Sequence, residues 1–141
     1  MKTSIKNHVL AAGSVLLIAF ATMSFVSSYQ EKPKPWKAPD TAKKMKNPVA
    51  KSDESLAEAK ALFTKHCKSC HGSKGLGDGP KSKELDTACG DFSTKEFQDQ
   101  SDGELFYKTK EGRDDMPSFK KKITDDEEIW SIVNYMRTLA K

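Results

Sequence analysis

Cys67-Lys68-Ser69-Cys70-His71 lies near the middle of a chain of 141 residues, and the reading of these five residues decides the fold. Two thiols three positions apart, followed at once by an imidazole, make the C-x-x-C-H spacing that attaches a c-type haem. Such thiols can reach the two vinyl groups of one porphyrin, and the next residue places a nitrogen ligand beneath the iron. Three other chemistries use parts of the pattern. A dithiol redox centre needs only Cys67 and Cys70, but that motif normally follows a strand in a βαβ unit, and here it follows a helix. A zinc site could draw on Cys67, Cys70, Cys89 and either His71 or His66, yet the usual second pair of closely spaced ligands is missing. A disulfide between Cys67 and Cys70 would close a loop too short to stabilise much.

The flanking sequence reads as helix on both sides. A Ser/Thr-x-x-Glu capping box occurs four times after residue 52, as Ser55 with Glu58, Ser93 with Glu96, Ser101 with Glu104, and Thr124 with Glu127. In each, the hydroxyl can accept from a free backbone N–H of the first turn while the glutamate caps back. The first box opens a helix with Leu56, Ala59, Leu62 and Phe63 on one face, running into Cys67. The last opens a helix with Ile129, Ile132, Val133, Met136 and Leu139 on one face. Between them Leu105 and Phe106 mark a shorter helix that Gly112 closes as a C-cap. No alternating β-branched run occurs, so the fold is expected to be all-α, with three to five short helices. Helices this short bury little apolar surface by themselves. A covalently attached haem would complete their core.

Over residues 53–141 the sequence resembles the class I c-type cytochromes. The resemblance is carried by the helix leading into Cys67-Lys68-Ser69-Cys70-His71-Gly72, the loop Gly75-Leu76-Gly77-Asp78-Gly79-Pro80, the pair Met116-Pro117, and the C-terminal amphipathic helix ending near Leu139. It implies a small cytochrome c fold around one haem, with thioethers on Cys67 and Cys70, His71 as proximal iron ligand and Met116 as distal ligand. It also implies that the Pro80 carbonyl accepts from the second nitrogen of His71. Physical chemistry agrees with these roles. An imidazole ligand needs an acceptor on its other nitrogen to fix its orientation, and a Gly-Pro turn can present one. A thioether favours ferrous iron and raises the reduction potential. Methionine is more often a core residue, but Met116 stands between Asp114-Asp115 and Pro117-Ser118, in a polar loop rather than on an apolar stripe. The family's crossing of first and last helices, a small residue facing an aromatic, falls on Ala59 and Tyr135, with alanine in place of the familiar glycine. Phe63, Trp130 and Tyr135 read as core, Cys89 as a packed small residue without a haem role, and His66 as exposed.

At 15.7 kDa, with 31% charged residues and a mean hydropathy of -0.68, the chain has room for one water-soluble domain and excludes a multispanning membrane protein. One stretch departs from this. Val9 to Val26 carries no charge, follows Lys2 and Lys6, and precedes Ser27 and Ser28. Residues 1–28 therefore read as a secretory signal cleaved after Ser28, or as an uncleaved membrane anchor formed by residues 9–26. Either way the remainder lies outside the cytoplasm, in a bacterial periplasm. Residues 29–52 carry seven lysines against Glu31 and Asp40, with Pro33, Pro35, Pro39 and Pro48, and read as a solvated linker. The net charge of +4 belongs to this tail and the leader, since residues 53–141 are net acidic. Nucleic-acid binding is thereby excluded.

With both axial positions filled by protein, the iron has no open site for a substrate. The expected role is electron transfer rather than catalysis, between redox proteins or subunits of a respiratory complex, by a monomeric domain. Lys120, Lys121 and Lys122 follow the Met116 loop but adjoin Asp125 to Glu128, and read as a solvated charge run. If Met116 is displaced, the alternative is a haem-based gas or peroxide sensor or a minor peroxidase. A zinc or dithiol module is the remote third possibility.

Overall fold

The computed structural model describes residues 35–141, so the leader expected over residues 1–28 lies outside the described residues. Six α-helices are present among them: α1 (Asp40–Lys43), α2 (Asp53–His66), α3 (Lys68–His71), α4 (Lys95–Gln98), α5 (Asp102–Glu111) and α6 (Asp126–Arg137). Three of the six are single turns, and α2, α5 and α6 carry the architecture. No strand is present among the described residues; an isolated antiparallel bridge pairs Arg113 with Met116.

The long helices start where short polar side chains satisfy their first N–H groups, though not always at the expected residue. The Ser101–Glu104 box opens α5 as read from sequence. The other three starts are displaced. Ser52 caps α2 and Ser55 bonds back to the Ser52 N–H at 3.0 Å, one turn before the Ser55–Glu58 pair. A serine at the third position can close the box as well as a glutamate can, and here it reaches. Thr94 rather than Ser93 caps α4, because the Ser93 hydroxyl is engaged by Asp91 at 2.6 Å. Asp125 rather than Thr124 caps α6, accepting from the Glu127 N–H at 2.9 Å.

The apolar faces meet as their periodicity requires. Ala59 and Phe63 on α2 face α6, whose Ile129, Ile132 and Val133 are completely buried. Phe63 and Tyr135 rings lie 5.2 Å apart at this crossing. On α5, Phe106 stacks on Trp130 of α6 with centroids 4.0 Å apart. Phe92, Phe119 and Ile123 come in from loops to close the same core. Arg137 at the end of α6 latches the layers, pairing with Asp102 at 2.7 Å and donating to the Gln98 and Gln100 carbonyls.

From Pro35 onward the Lys- and Pro-rich segment is not a solvated spacer. Ala38 and Ala42 are buried, and Ala42 sits on α5 at Gly103, where a Cβ would come within 1.9 Å of the Ala42 carbonyl oxygen. Farther on, Asn47 donates to the Trp130 carbonyl at 3.1 Å and to Asn134 at 3.0 Å, and Asn134 donates to the Val49 carbonyl at 3.0 Å. The segment is thus a strap over α5 and α6. Its lysines stay in water while small apolar residues and amides turn inward. Among the described residues no helix is long and apolar enough to cross a membrane.

Candidate cofactor site

The site begins where α2 ends. Cys67 closes α2 through its N–H to the Phe63 carbonyl at 2.8 Å, and the chain turns directly into α3, with Cys70 and His71 N–H groups bonded to the Cys67 carbonyl. Both thiols therefore sit on one corner, a single turn apart. Neither is in a disulfide, and Cys89 is free as well. Burial pushes the Cys67 thiol up to about 12, so it is held protonated.

A glycine-rich loop folds back beneath α3 and caps its carbonyls. Gly77 N–H donates to the His71 carbonyl at 2.9 Å, Gly79 N–H to Cys70 at 3.1 Å, and Lys81 N–H to Ser69 at 2.9 Å. Glycine is required at 79, where a Cβ would lie 2.5 Å from the Ser69 carbonyl oxygen. At Gly77 two constraints combine, a φ of +75° and a Cβ position 2.3 Å from the Cys89 carbonyl oxygen.

His71 is the informative residue. Its ring packs on Phe92 at 4.6 Å, and Phe92 stacks in turn on Phe97 at 4.3 Å. Burial lowers its pKa to about 4, so the imidazole is neutral and able to act as a nitrogen donor. Its Nδ1 is buried with no hydrogen-bond partner. The bond expected from His71 to the Pro80 carbonyl is therefore not formed. The loop spends its contacts with α3 on main-chain pairs, the ring lies against Phe92, and Pro80 is exposed. A buried ring nitrogen without a partner is costly in a finished interior. The neutral imidazole and two adjacent free thiols fit a covalently bound, iron-containing porphyrin.

Met116 is presented by a separate device. After Gly112 ends α5 with a φ of +69°, Arg113 and Met116 exchange two backbone hydrogen bonds at 2.8 and 2.9 Å, closing a four-residue hairpin. Asp114 in this turn has a φ of +52°, a left-handed conformation that aspartate tolerates better than most residues. The Phe119 N–H bonds to the Lys110 carbonyl at 3.1 Å and fixes the hairpin's base. Met116 itself is half-buried and packs against the edge of the core.

Sequence reasoning missed several supports. Asp115 accepts from the Asp86 N–H at 3.1 Å and the Thr87 N–H at 3.4 Å, tying the Met116 hairpin to the opposite loop. An aspartate in a polar loop carries no signal of such a long-range bond. Phe92, against His71, stands alone in an irregular segment and belonged to no periodic face. His66 is half-buried rather than exposed, with its ring 6.1 Å from Phe119, and burial lowers its pKa. Cys89 is half-buried, with its thiol pushed up chiefly by burial. No three His, Cys, Asp or Glu side chains among the described residues converge as a metal site of their own, so the donors weighed for zinc do not assemble. Lys120 pairs with Glu111 at 2.5 Å.

Comparison with known proteins agrees with this geometry. No curated protein matches the sequence. Among solved structures, a chain of the Kuenenia stuttgartiensis reducing HAO-like protein complex superposes with a TM-score of 0.60 at 26% identity. The match covers 81% of the present chain but only 53% of that one, so this protein spans about half its length. Residues 54–136, more than half of the sequence, match the family described as cytochrome c oxidase, cbb3-type, subunit III. The chain belongs to that family: it is a single-haem c-type cytochrome whose haem is covalently bound.

Proposed function

We propose that this cytochrome passes single electrons between redox partners outside the cytoplasmic membrane, as a free carrier or as a subunit tethered through residues 9–26. Cys67 and Cys70 hold the haem by thioethers, His71 is its proximal ligand and Met116 its distal one. The observation that carries this reading is the α2–α3 corner, where two free cysteines a single turn apart adjoin a buried, neutral histidine. Bound haem supplies an iron that cycles between ferrous and ferric states. The protein supplies the rest. The α3 turn sets the thiols and imidazole on one side, and the Arg113–Met116 hairpin brings a thioether from another part of the chain. With both ligand positions taken by side chains, the fold disfavours turnover of a small substrate. Family membership supports a place in a respiratory complex and an extracytoplasmic domain, and the structural neighbour, itself part of a complex, supports a subunit role.

A second reading, ligand binding at the iron by a gas or peroxide sensor or a minor peroxidase, has one observation in its favour. Met116 sits half-buried on a loop rather than locked in the core. One experiment separates the two. Ferric protein matured with covalent haem is expected to show the near-infrared band of methionine-ligated iron and to bind cyanide slowly. Absence of that band together with fast cyanide or carbon monoxide binding would overturn the carrier reading.

A further inference from the structure

The strap meets the Met116 hairpin at the first residues described. Arg113 Nη1 donates to the Pro35 carbonyl at 3.2 Å, and its guanidinium carbon stands 4.7 Å from the Trp36 ring centroid. The Lys108 ammonium lies 5.9 Å from the same ring. Two cations, one from α5 and one from the hairpin, therefore share one indole. Arg113 is also the residue whose backbone is doubly bonded to Met116, and its Nε pairs with Asp114 at 3.2 Å. The strap's other end is held independently, by the Ala42 contact at Gly103 and the Asn47 bonds to α6. A segment anchored on α5 and α6 thus grips the hairpin through one arginine.

The hairpin depends on holds from outside itself: Asp115 ties one side to the Asp86–Thr87 loop, and the strap grips the other through Arg113. It is a four-residue turn next to Gly112 with one non-glycine residue at positive φ, and Met116 is only half-buried. If it swings out, its methionine leaves the iron's sixth position. Swinging out moves Arg113, which must then leave both the Trp36 ring and the Pro35 carbonyl.

We infer that Trp36 and Pro35 clamp the Met116 hairpin shut through Arg113, which makes Trp36 a positioning residue for the distal iron ligand. The inference rests on Met116 being that ligand. Trp36 acts on the ligand through Arg113; it raises the barrier to opening. A cation over an indole in a partly desolvated site contributes about 1 kcal/mol, which corresponds to about a fivefold change in an opening rate.

The test uses the full-length ferric holoprotein and cyanide as probe. At saturating cyanide the limiting binding rate reports hairpin opening. Trp36→Ala is expected to raise that rate about fivefold, with covalent haem content unchanged, while Trp36→Phe stays near the parent. Arg113→Gln is expected to raise it too, and the double variant to exceed Arg113→Gln alone by little, since both changes remove the same contact. Arg113→Gln leaves the strap's own residues intact and carries the test should Trp36→Ala fail to mature. A parental limiting rate in Trp36→Ala, or fully multiplicative effects in the double variant, overturns the clamp. So does a lowered unfolding temperature with no change in that rate, the mark of a purely structural residue. A parent protein without the methionine–iron band overturns the ligand assignment, whereas a parent with the band and an unresponsive Trp36→Ala overturns the clamp alone.

Discussion

Asn134 offers the sharpest test of how the strap is held. It lies on α6 with 3% of its surface exposed, an amide on an otherwise apolar face. Its Nδ2 donates to the Val49 carbonyl and its Oδ1 accepts from Asn47, each at 3.0 Å, while Asn47 Oδ1 accepts from the Val49 N–H at 2.9 Å. Asn134→Ala removes two of these bonds and leaves the Val49 carbonyl without its partner. At about 1 kcal/mol for each bond lost, with a further fraction for the stranded carbonyl, the variant should be about 2 to 3 kcal/mol less stable. For a domain of this size that is a fall in Tm of about 8 to 12 °C. The assay is thermal unfolding of the haem-loaded protein, followed by far-ultraviolet circular dichroism and by the haem absorbance. Asn47→Ala, measured alone and with Asn134→Ala, completes a cycle in which the shared amide–amide bond appears as about 1 kcal/mol of coupling. A loss under about 0.5 kcal/mol for Asn134→Ala, with additive effects in the cycle, would refute the reasoning. The strap would then not depend on this network.

Two other outcomes follow from particular contacts. Gly77→Ala forces a side chain into a positive-φ position against the Cys89 carbonyl and should cost about 2 kcal/mol or more, read as reduced thermal stability and reduced holoprotein yield. Asp91 is held below the usual carboxylate range by the Ser93 hydroxyl and N–H, so its folded-state pKa is depressed. The associated stabilisation is complete above the unfolded carboxylate pKa and disappears as pH falls through the lower folded value. Ser93→Ala should therefore lower stability by about 0.5 kcal/mol at neutral pH, solvent screening being allowed for, with the gap to the parent narrowing in acid. A gap that is constant with pH would count against this assignment.

What was legible in the sequence was whatever periodicity and spacing encode. The faces Ala59–Phe63 and Ile129–Ile132–Val133 are buried as their spacing requires, and Gly112 ends α5 as read. Helix starts were legible to within a turn, because Ser, Thr and Asp compete for the same N–H groups and only geometry decides which one reaches. The strap was hidden by its composition. Burying Ala38 and Ala42 takes one methyl apiece, Asn47 reads as a polar linker residue, and Gly103 gains meaning only once Ala42 lies against it. The corner from Cys67 to His71 was legible because local spacing alone specifies it. The surroundings of His71 were not: the contact with Phe92, and the absence of the Pro80 bond, depend on how a long irregular loop returns.

The covalent haem is tested most directly by intact-mass measurement on protein produced with a haem-attachment system and then denatured. The account predicts one polypeptide carrying the mass of one porphyrin, colour that acid–acetone extraction leaves on the protein, and loss of both when Cys67 and Cys70 are replaced together by alanine. A colourless chain at the bare polypeptide mass, or a pigment that extracts freely, would contradict it.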